Sequence, residues 1–244
     1  MNQTALVVIK SMGIGDLVIL IANIHAISKK TNKPVVVLAQ KNTKAAEILR
    51  CDPHIAEVID LDKKGFFNII KKIKPYHFIQ SYIYSDSFRL YLISNFSNIK
   101  EKFQYKLFSK KGKNFFKTAI TFTEKSLNTQ IDHESKIIWD INEINDARKK
   151  FNISNKTKNI VCGISASGPT KRWDIKNYIK LFENLNNKFS CKFFIATGPQ
   201  DHDLTNKIMN SSFKENCISF SKMTIAETIP IIGACQFYIG NDTG

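Results

Sequence analysis

Ala5-Leu6-Val7-Val8-Ile9-Lys10-Ser11-Met12-Gly13-Ile14-Gly15-Asp16 decides the fold class. Residues 5–10 are a short β-branched apolar run, the composition of a strand buried on both faces. A turn containing Gly13 and Gly15 follows, and helical periodicity begins at Asp16 and continues to about Lys30. Outward from this unit the rhythm repeats. Residues 34–39 read as a second buried strand, 43–50 as a short helix and 57–61 as a third strand. Residues 66–74 set Phe66, Ile69, Ile70 and Ile73 at helical spacing. Residues 76–80 and 98–103 are further strands, with a helix at 86–94 between them. Strands that alternate with helices and carry near-continuous apolar runs build a parallel sheet covered on both faces.

Residues 106–125 are Lys-rich and weakly periodic, which predicts a loop or excursion. Residues 134–151 read as a strongly charged connector helix. The β-then-α rhythm then restarts. Strands are expected at 160–164, 191–196, 217–220 and 236–239, and helices at 174–188, 201–211 and 224–234. The expected organisation is α/β with two domains, residues 1–155 including the connector helix and residues 156–244. A strand followed by Gly240-Asn241-Asp242-Thr243-Gly244 should lead into another helix, so the second domain reads as incomplete.

A chain of 244 residues with 43% hydrophobic content is long enough for two cores without disulfides or structural metal. That content excludes a disordered tail, and 10 Gly exclude a collagen-like repeat. The five Cys (Cys51, Cys162, Cys191, Cys217, Cys235) are scattered without a C-x-x-C, which reads as reduced thiols. The apolar stretch 17–28 lies between Asp16 and Lys29 and is too short for the roughly 20 residues of a bilayer crossing. Asp16 also interrupts it as a signal peptide. A cytoplasmic protein is expected.

Charge is uneven. The formal net charge is +15, and residues 63–125 hold 14 basic residues against 3 acidic ones, together with most of the Phe and Tyr. Such a window suits a nucleic acid, an anionic lipid surface or an acidic glycan, or simply decorates solvated faces with Lys.

Ligands of open α/β sheets bind beyond the carboxyl ends of the strands, and three loops lie there. Gly13-Ile14-Gly15-Asp16 fails as a dinucleotide fingerprint, because Val18 stands at the third glycine position. Asp16 is left with two readings, a helix cap or a carboxylate facing a cleft as general base. Ser165-Ala166-Ser167-Gly168-Pro169-Thr170-Lys171-Arg172-Trp173 has the glycine spacing of a phosphate loop, yet Pro169 occupies the position of its Lys. It remains either an ordinary strand–helix turn or a small-residue loop suited to a diphosphate, with Lys171 as a point charge. The third loop, 240–244, is weak alone. The pairs Asp60/Asp62 and Asp201/Asp203 lack supporting ligands, and no metal is expected.

In this order, Val8-Ile9-Lys10-Ser11-Met12-Gly13-Ile14-Gly15-Asp16, Ser167-Gly168-Pro169-Thr170-Lys171-Arg172-Trp173, Gly198-Pro199, Lys222-Met223 and Gly240-Asn241-Asp242-Thr243-Gly244 resemble the bacterial heptosyltransferases, glycosyltransferase family 9. The resemblance covers essentially the whole chain. It implies a GT-B fold of two Rossmann-like domains with parallel sheets facing across a cleft, the second incomplete. It implies an inverting glycosyltransferase that moves a heptose from ADP-heptose to a lipopolysaccharide-core or related glycan acceptor. Asp16 matches the family's catalytic carboxylate and Lys171 its donor-phosphate lysine. Ser167, Thr170, Asp242, Thr243 and Gly244 fall on the donor side, Met223 at an adenine-side position and Asp201 as a candidate ribose acid. Ser11 and Gly15 fall on the acceptor side. The family needs no metal or cofactor, the ADP-sugar being substrate.

The family continues beyond Asp-Thr-Gly with a His and further donor-domain elements, so this chain reads as C-terminally truncated. A non-catalytic nucleotide- or glycan-binding protein of the same fold is the alternative. The expected partners are the nucleotide-sugar donor and an anionic glycolipid or glycan acceptor, with peripheral contact at the inner leaflet of the cytoplasmic membrane and no nucleic acid.

Overall fold

The computed structural model describes residues 4–10, 13–61, 65–106, 114–166, 168–198 and 201–241. The chain divides into two compact units, Met1–Ile138 and Trp139–Gly244.

In the first unit, β1 (Thr4–Ile9), β2 (Val35–Ala39), β3 (Ile55–Asp60), β4 (Phe78–Tyr84) and β5 (Glu101–Gln104) form one parallel sheet in the order β3-β2-β1-β4-β5. The central register sets Val7 opposite both Val37 and Tyr82. Ala5 to Ile9 and all of β2 are buried, as their apolar runs predict. Each such Val, Leu or Ile contributes roughly 1.5–3 kcal/mol of transfer free energy. One face is covered by α3 (Phe66–Ile73) and α4 (Phe88–Phe96), whose Ile69, Ile73, Leu90 and Ile93 join Leu6, Val8, Val36 and Ile83. α1 (Ile14–Thr31) follows β1, and the short α2 (Ala45–Ile48) precedes β3.

The stretch expected to be a loop contains a helix, α5 (Phe115–Leu127). Asn114 caps it by accepting the Lys117 N–H at 3.1 Å, and Ala119, Ile120, Thr123 and Leu127 are its buried stripe. The Thr123 hydroxyl donates to Asn23 Oδ1 on α1 at 2.7 Å and lies 2.7 Å from the Tyr84 hydroxyl. The surface lysines masked this stripe, because α5 is held by packing and buried hydrogen bonds rather than by propensity.

In the second unit, β6 (Lys158–Gly163), β7 (Cys191–Ala196), β8 (Cys217–Ser219) and β9 (Phe237–Gly240) form a parallel sheet in the order β8-β7-β6-β9. α7 (Ile175–Asn186) and α8 (His202–Met209) bury Tyr178, Phe182 and Ile208 against Ile160, Cys162 and Phe193 on one face. On the other, α6 (Ile141–Lys150) and α9 (Ile225–Ala234) cover Val161, Phe194 and Phe220.

Two details depart from the sequence reading. The connector helix begins at Ile141 rather than at 134, capped by Asp140, which accepts the Asn142 N–H at 2.8 Å. Its Ala147 is also core of the second unit, so this helix is not an extension of the first domain. A residue run with one small buried face and many charges reads as a linker until its partner helix is known.

All five cysteines are free thiols. Among the described residues no helix is long and apolar enough to cross a membrane.

Candidate functional site

Each sheet reverses its strand order once, at β1/β4 in the first unit and at β6/β9 in the second. The crevice beyond the carboxyl ends of such strands is where open α/β sheets bind ligands. Of the residues singled out in the sequence, Gly15 and Asp16 stand at the first place and Thr170, Lys171 and Asp201 stand around the loop at the second.

At the β1/β4 end, Asp16 stands in the first turn of α1 and its Oδ2 accepts the Gly13 N–H at 3.0 Å. The helix dipole favours a negative charge there. The carboxylate is therefore anchored through one oxygen and half-buried, with Gly15 beside it in the same turn. Around it the rim is tied down. Lys10 Nζ donates to Ser87 Oγ at 2.9 Å across the reversal. Gln104 Nε2 donates to the carbonyls of Ser85 at 2.9 Å and Ser87 at 3.0 Å. Ser87 and Gln104 carry no motif in the sequence, and Lys10, though inside the first motif, has no sequence mark of its partner. Ser11 lies outside the described residues.

At the β6/β9 end, the loop after β6 is gripped from three sides. Ser165 Oγ accepts the Gly198 N–H at 2.9 Å, joining it to the loop after β7. Arg172 donates twice to the Ala166 carbonyl, at 3.1 and 3.0 Å, and its Nη2 pairs with Asp201 Oδ1 at 3.0 Å. Asn241 closes the third side. Its Nδ2 donates to the carbonyls of Ile164 at 2.8 Å and Ser165 at 3.4 Å, while Oδ1 accepts the Trp173 N–H at 3.0 Å and the Tyr178 hydroxyl at 3.1 Å. Burial pushes the Tyr178 phenol up to about 12, so it stays a proton donor to Asn241 at neutral pH.

Thr170 and Lys171 lie on the single 3₁₀ turn Pro169–Lys171, exposed at the tip of this gripped loop, with the Lys171 N–H donating to the Gly168 carbonyl at 3.1 Å. Asp201 is half-buried and paired with Arg172. Met223 follows β8, half-buried against the core containing Phe220 and Ile231. Ser167, Asp242, Thr243 and Gly244 lie outside the described residues. The sequence reading passed over Arg172 and Asn241, although both stood inside quoted motifs. The signal was their polarity at strand-end positions, and their partners lie far along the chain.

Two glycines at these ends are not required by the fold. A Cβ at Gly13 or Gly168 would meet nothing within 4 Å. Gly240 is different: its Cβ would lie 2.7 Å from Tyr238 Cζ and 2.9 Å from the Gly163 carbonyl oxygen, so close strand packing demands it. Open space at Gly168 leaves the loop backbone accessible to a ligand. Gly168→Ala is expected to keep the unfolding midpoint within about 2 °C of wild type. The same change should weaken binding of an anion such as inorganic diphosphate roughly tenfold if the anion is held by this backbone, because a methyl group then stands over its N–H groups. Calorimetry on the one protein preparation reads both.

Among the described residues no group of three or more His, Cys, Asp or Glu side chains is placed to hold a metal ion.

Residues 103–244 match the family model of glycosyltransferase family 9 (heptosyltransferase). Solved structures share the fold across nearly the whole chain. The Escherichia coli ADP-heptose lps heptosyltransferase II superposes with a TM-score of 0.74 at 16% identity, covering 99% of this chain and 80% of that one. The glycosyl transferase family 9 protein of Veillonella parvula DSM 2008 gives 0.79 at 14% identity, covering 99% and 76%. The E. coli heptosyltransferase WaaC, solved with ADP-2-deoxy-2-fluoro heptose, gives 0.69 at 11% identity, covering 98% and 83%. These likenesses establish a GT-B fold. A search of curated protein sequences gave no match.

Proposed function

The chain belongs to glycosyltransferase family 9, the heptosyltransferases, and on that premise we propose that it transfers a heptose from ADP-heptose, with inversion, to a lipopolysaccharide-core or related glycan acceptor. The observation that carries the donor side is the loop after β6, held by Ser165, Arg172 and Asn241 so that Gly168, Thr170 and Lys171 face outward. A preorganised loop of this kind stabilises charge without paying for reorganisation during the reaction.

In the proposed reaction an acceptor hydroxyl gives its proton to the Asp16 carboxylate while its oxygen attacks the anomeric carbon. The bond from that carbon to the diphosphate oxygen breaks, and its electron pair leaves with ADP. Lys171 offsets the charge that develops on the leaving diphosphate. Hydroxyl and backbone donors of Ser167, Thr170, Asp242, Thr243 and Gly244 hold the phosphates and sugar. Met223 contacts the adenine. Asp201 reaches the ribose while its other face stays on Arg172. Ser11 and Gly15 line the acceptor side. No metal or cofactor enters this scheme, and the site works in the cytoplasm.

A titration of the purified chain against ADP, UDP, GDP, CDP and NAD tests the donor assignment, with circular dichroism as the folding control. Selective ADP binding, followed by transfer from ADP-heptose, is the expected result. Preference for UDP or GDP would change the donor and leave the family assignment intact. A folded chain that binds none of the five would remove the donor site from this proposal.

A further inference from the structure

α4 is apolar on two opposite sides. Leu90 and Ile93 enter the core of the first unit, and one such side is all that a helix on a sheet needs. On the other side Phe88, Leu92 and Phe96 recur at i, i+4 and i+8, and Phe88 and Phe96 are 52% and 65% exposed. The neighbouring α3 adds Phe67, 80% exposed. The Phe66 ring stands edge-on to Phe67 at 5.3 Å and to Phe96 at 5.7 Å, which joins the two helices into one aromatic surface. Contiguous exposed apolar groups rimmed by polar ones mark a contact surface.

Cations share this surface. Phe67, Lys71 and Lys74 recur at i, i+4 and i+7 along α3 and its C-cap, all three exposed. Exposed Lys100 and Lys102 follow α4. The 14 basic and 3 acidic residues of the 63–125 window are therefore partly concentrated on an aromatic face. A second copy of a chain with net charge +15 would bring like charge against like. An anionic bilayer satisfies both features, taking aromatic rings at the headgroup level and lysines at its negative surface.

We propose that the α3–α4 face, with Phe67, Phe88 and Phe96 as inserted rings and Lys71 and Lys74 as headgroup contacts, docks the first unit on an anionic phospholipid bilayer. This goes beyond the transfer reaction and depends on neither donor nor acceptor.

The test is flotation of the full chain with vesicles of phosphatidylcholine, with and without phosphatidylglycerol. Wild type is expected to float with the anionic vesicles and to remain largely free of the neutral ones. Lys71→Gln with Lys74→Gln should lower the partition coefficient roughly tenfold or more. Phe67→Ser with Phe96→Ser should lower it by about tenfold and leave only binding that moderate salt abolishes. These side chains are exposed, so circular dichroism should be unchanged. As an independent reading, Phe67→Trp should show a blue shift in the added emission on anionic vesicles. The proposal is overturned by any of four results: no flotation of wild type, unchanged binding of the Phe pair variant, no emission shift at position 67, or a dimer in sedimentation that the Phe pair variant converts to monomer. The last would make the face a contact between copies.

Discussion

Asp16→Asn is expected to lower sugar transfer by ~10²–10⁴-fold while leaving ADP affinity unchanged. The amide is the informative replacement because Asp16 has two jobs in the structure. Its Oδ2 accepts the Gly13 N–H at the start of α1, and an asparagine oxygen accepts the same bond. An amide does not take a proton from an acceptor hydroxyl. Asp16→Ala removes both functions, and the lost cap costs about 1 kcal/mol, or roughly 2–4 °C in the unfolding midpoint. The two variants should therefore share the loss of turnover and differ in stability. Transfer at the wild-type rate by the Asn variant would reduce Asp16 to a capping residue and move the search for the base elsewhere on the β1/β4 rim.

A second large effect is expected at Asn241. Its amide uses both donors and two acceptor positions, and Tyr178, whose hydroxyl it receives, is buried. Asn241→Ala leaves the part-buried Ile164 carbonyl without that partner and the buried Tyr178 hydroxyl with only the Gly163 carbonyl at 3.4 Å, while the exposed Trp173 N–H turns to water. Unmade bonds to buried polar groups cost about 1–3 kcal/mol each, so a loss near ~3 kcal/mol is expected. The midpoint should fall by about 6–12 °C, read by calorimetry. ADP affinity should fall with it, since Asn241 fixes the strand end and the loop that would face the diphosphate. Asn241→Asp keeps the acceptor side and turns a carboxylate toward the Ile164 and Ser165 carbonyls. That isosteric change should also destabilise. If it is silent, the donor half of the network contributes nothing, and the loop is held by Arg172 and Ser165.

The candidate site was legible in the sequence only as far as chain order carries it. In an α/β unit the loop after each strand lies at the carboxyl end of the sheet, so Asp16, Thr170 and Lys171 could be assigned to that end from chain order, whereas Met223 entered only through the family resemblance. The residues that hold those loops could not. Arg172 reads as one more cation and Asn241 as one more turn residue until the Ala166 carbonyl, Asp201, Trp173 and Tyr178 are brought to them. The Lys-rich window misled in the opposite direction. Its exposed charges were conspicuous, and the buried stripe of α5 beneath them was not.

By itself the sequence determined two parallel α/β sheets, the strand–turn–helix start at Val8 to Asp16 and the end of each sheet where ligands sit. Hydrophobic periodicity and turn chemistry are local properties, complete within some ten residues of chain. Tertiary structure alone decided that β1 lies beside β4 and β6 beside β9, that 141–150 covers the second sheet, and that Arg172 and Asn241 grip the loop after β6. These outcomes depend on pairs distant in sequence, Thr123 with Asn23 across 100 positions and Asn241 with Ile164 across 77. A polar side chain carries no local mark of which distant carbonyl or hydroxyl will satisfy it. That partner is chosen only when burial makes leaving the bond unmade costly.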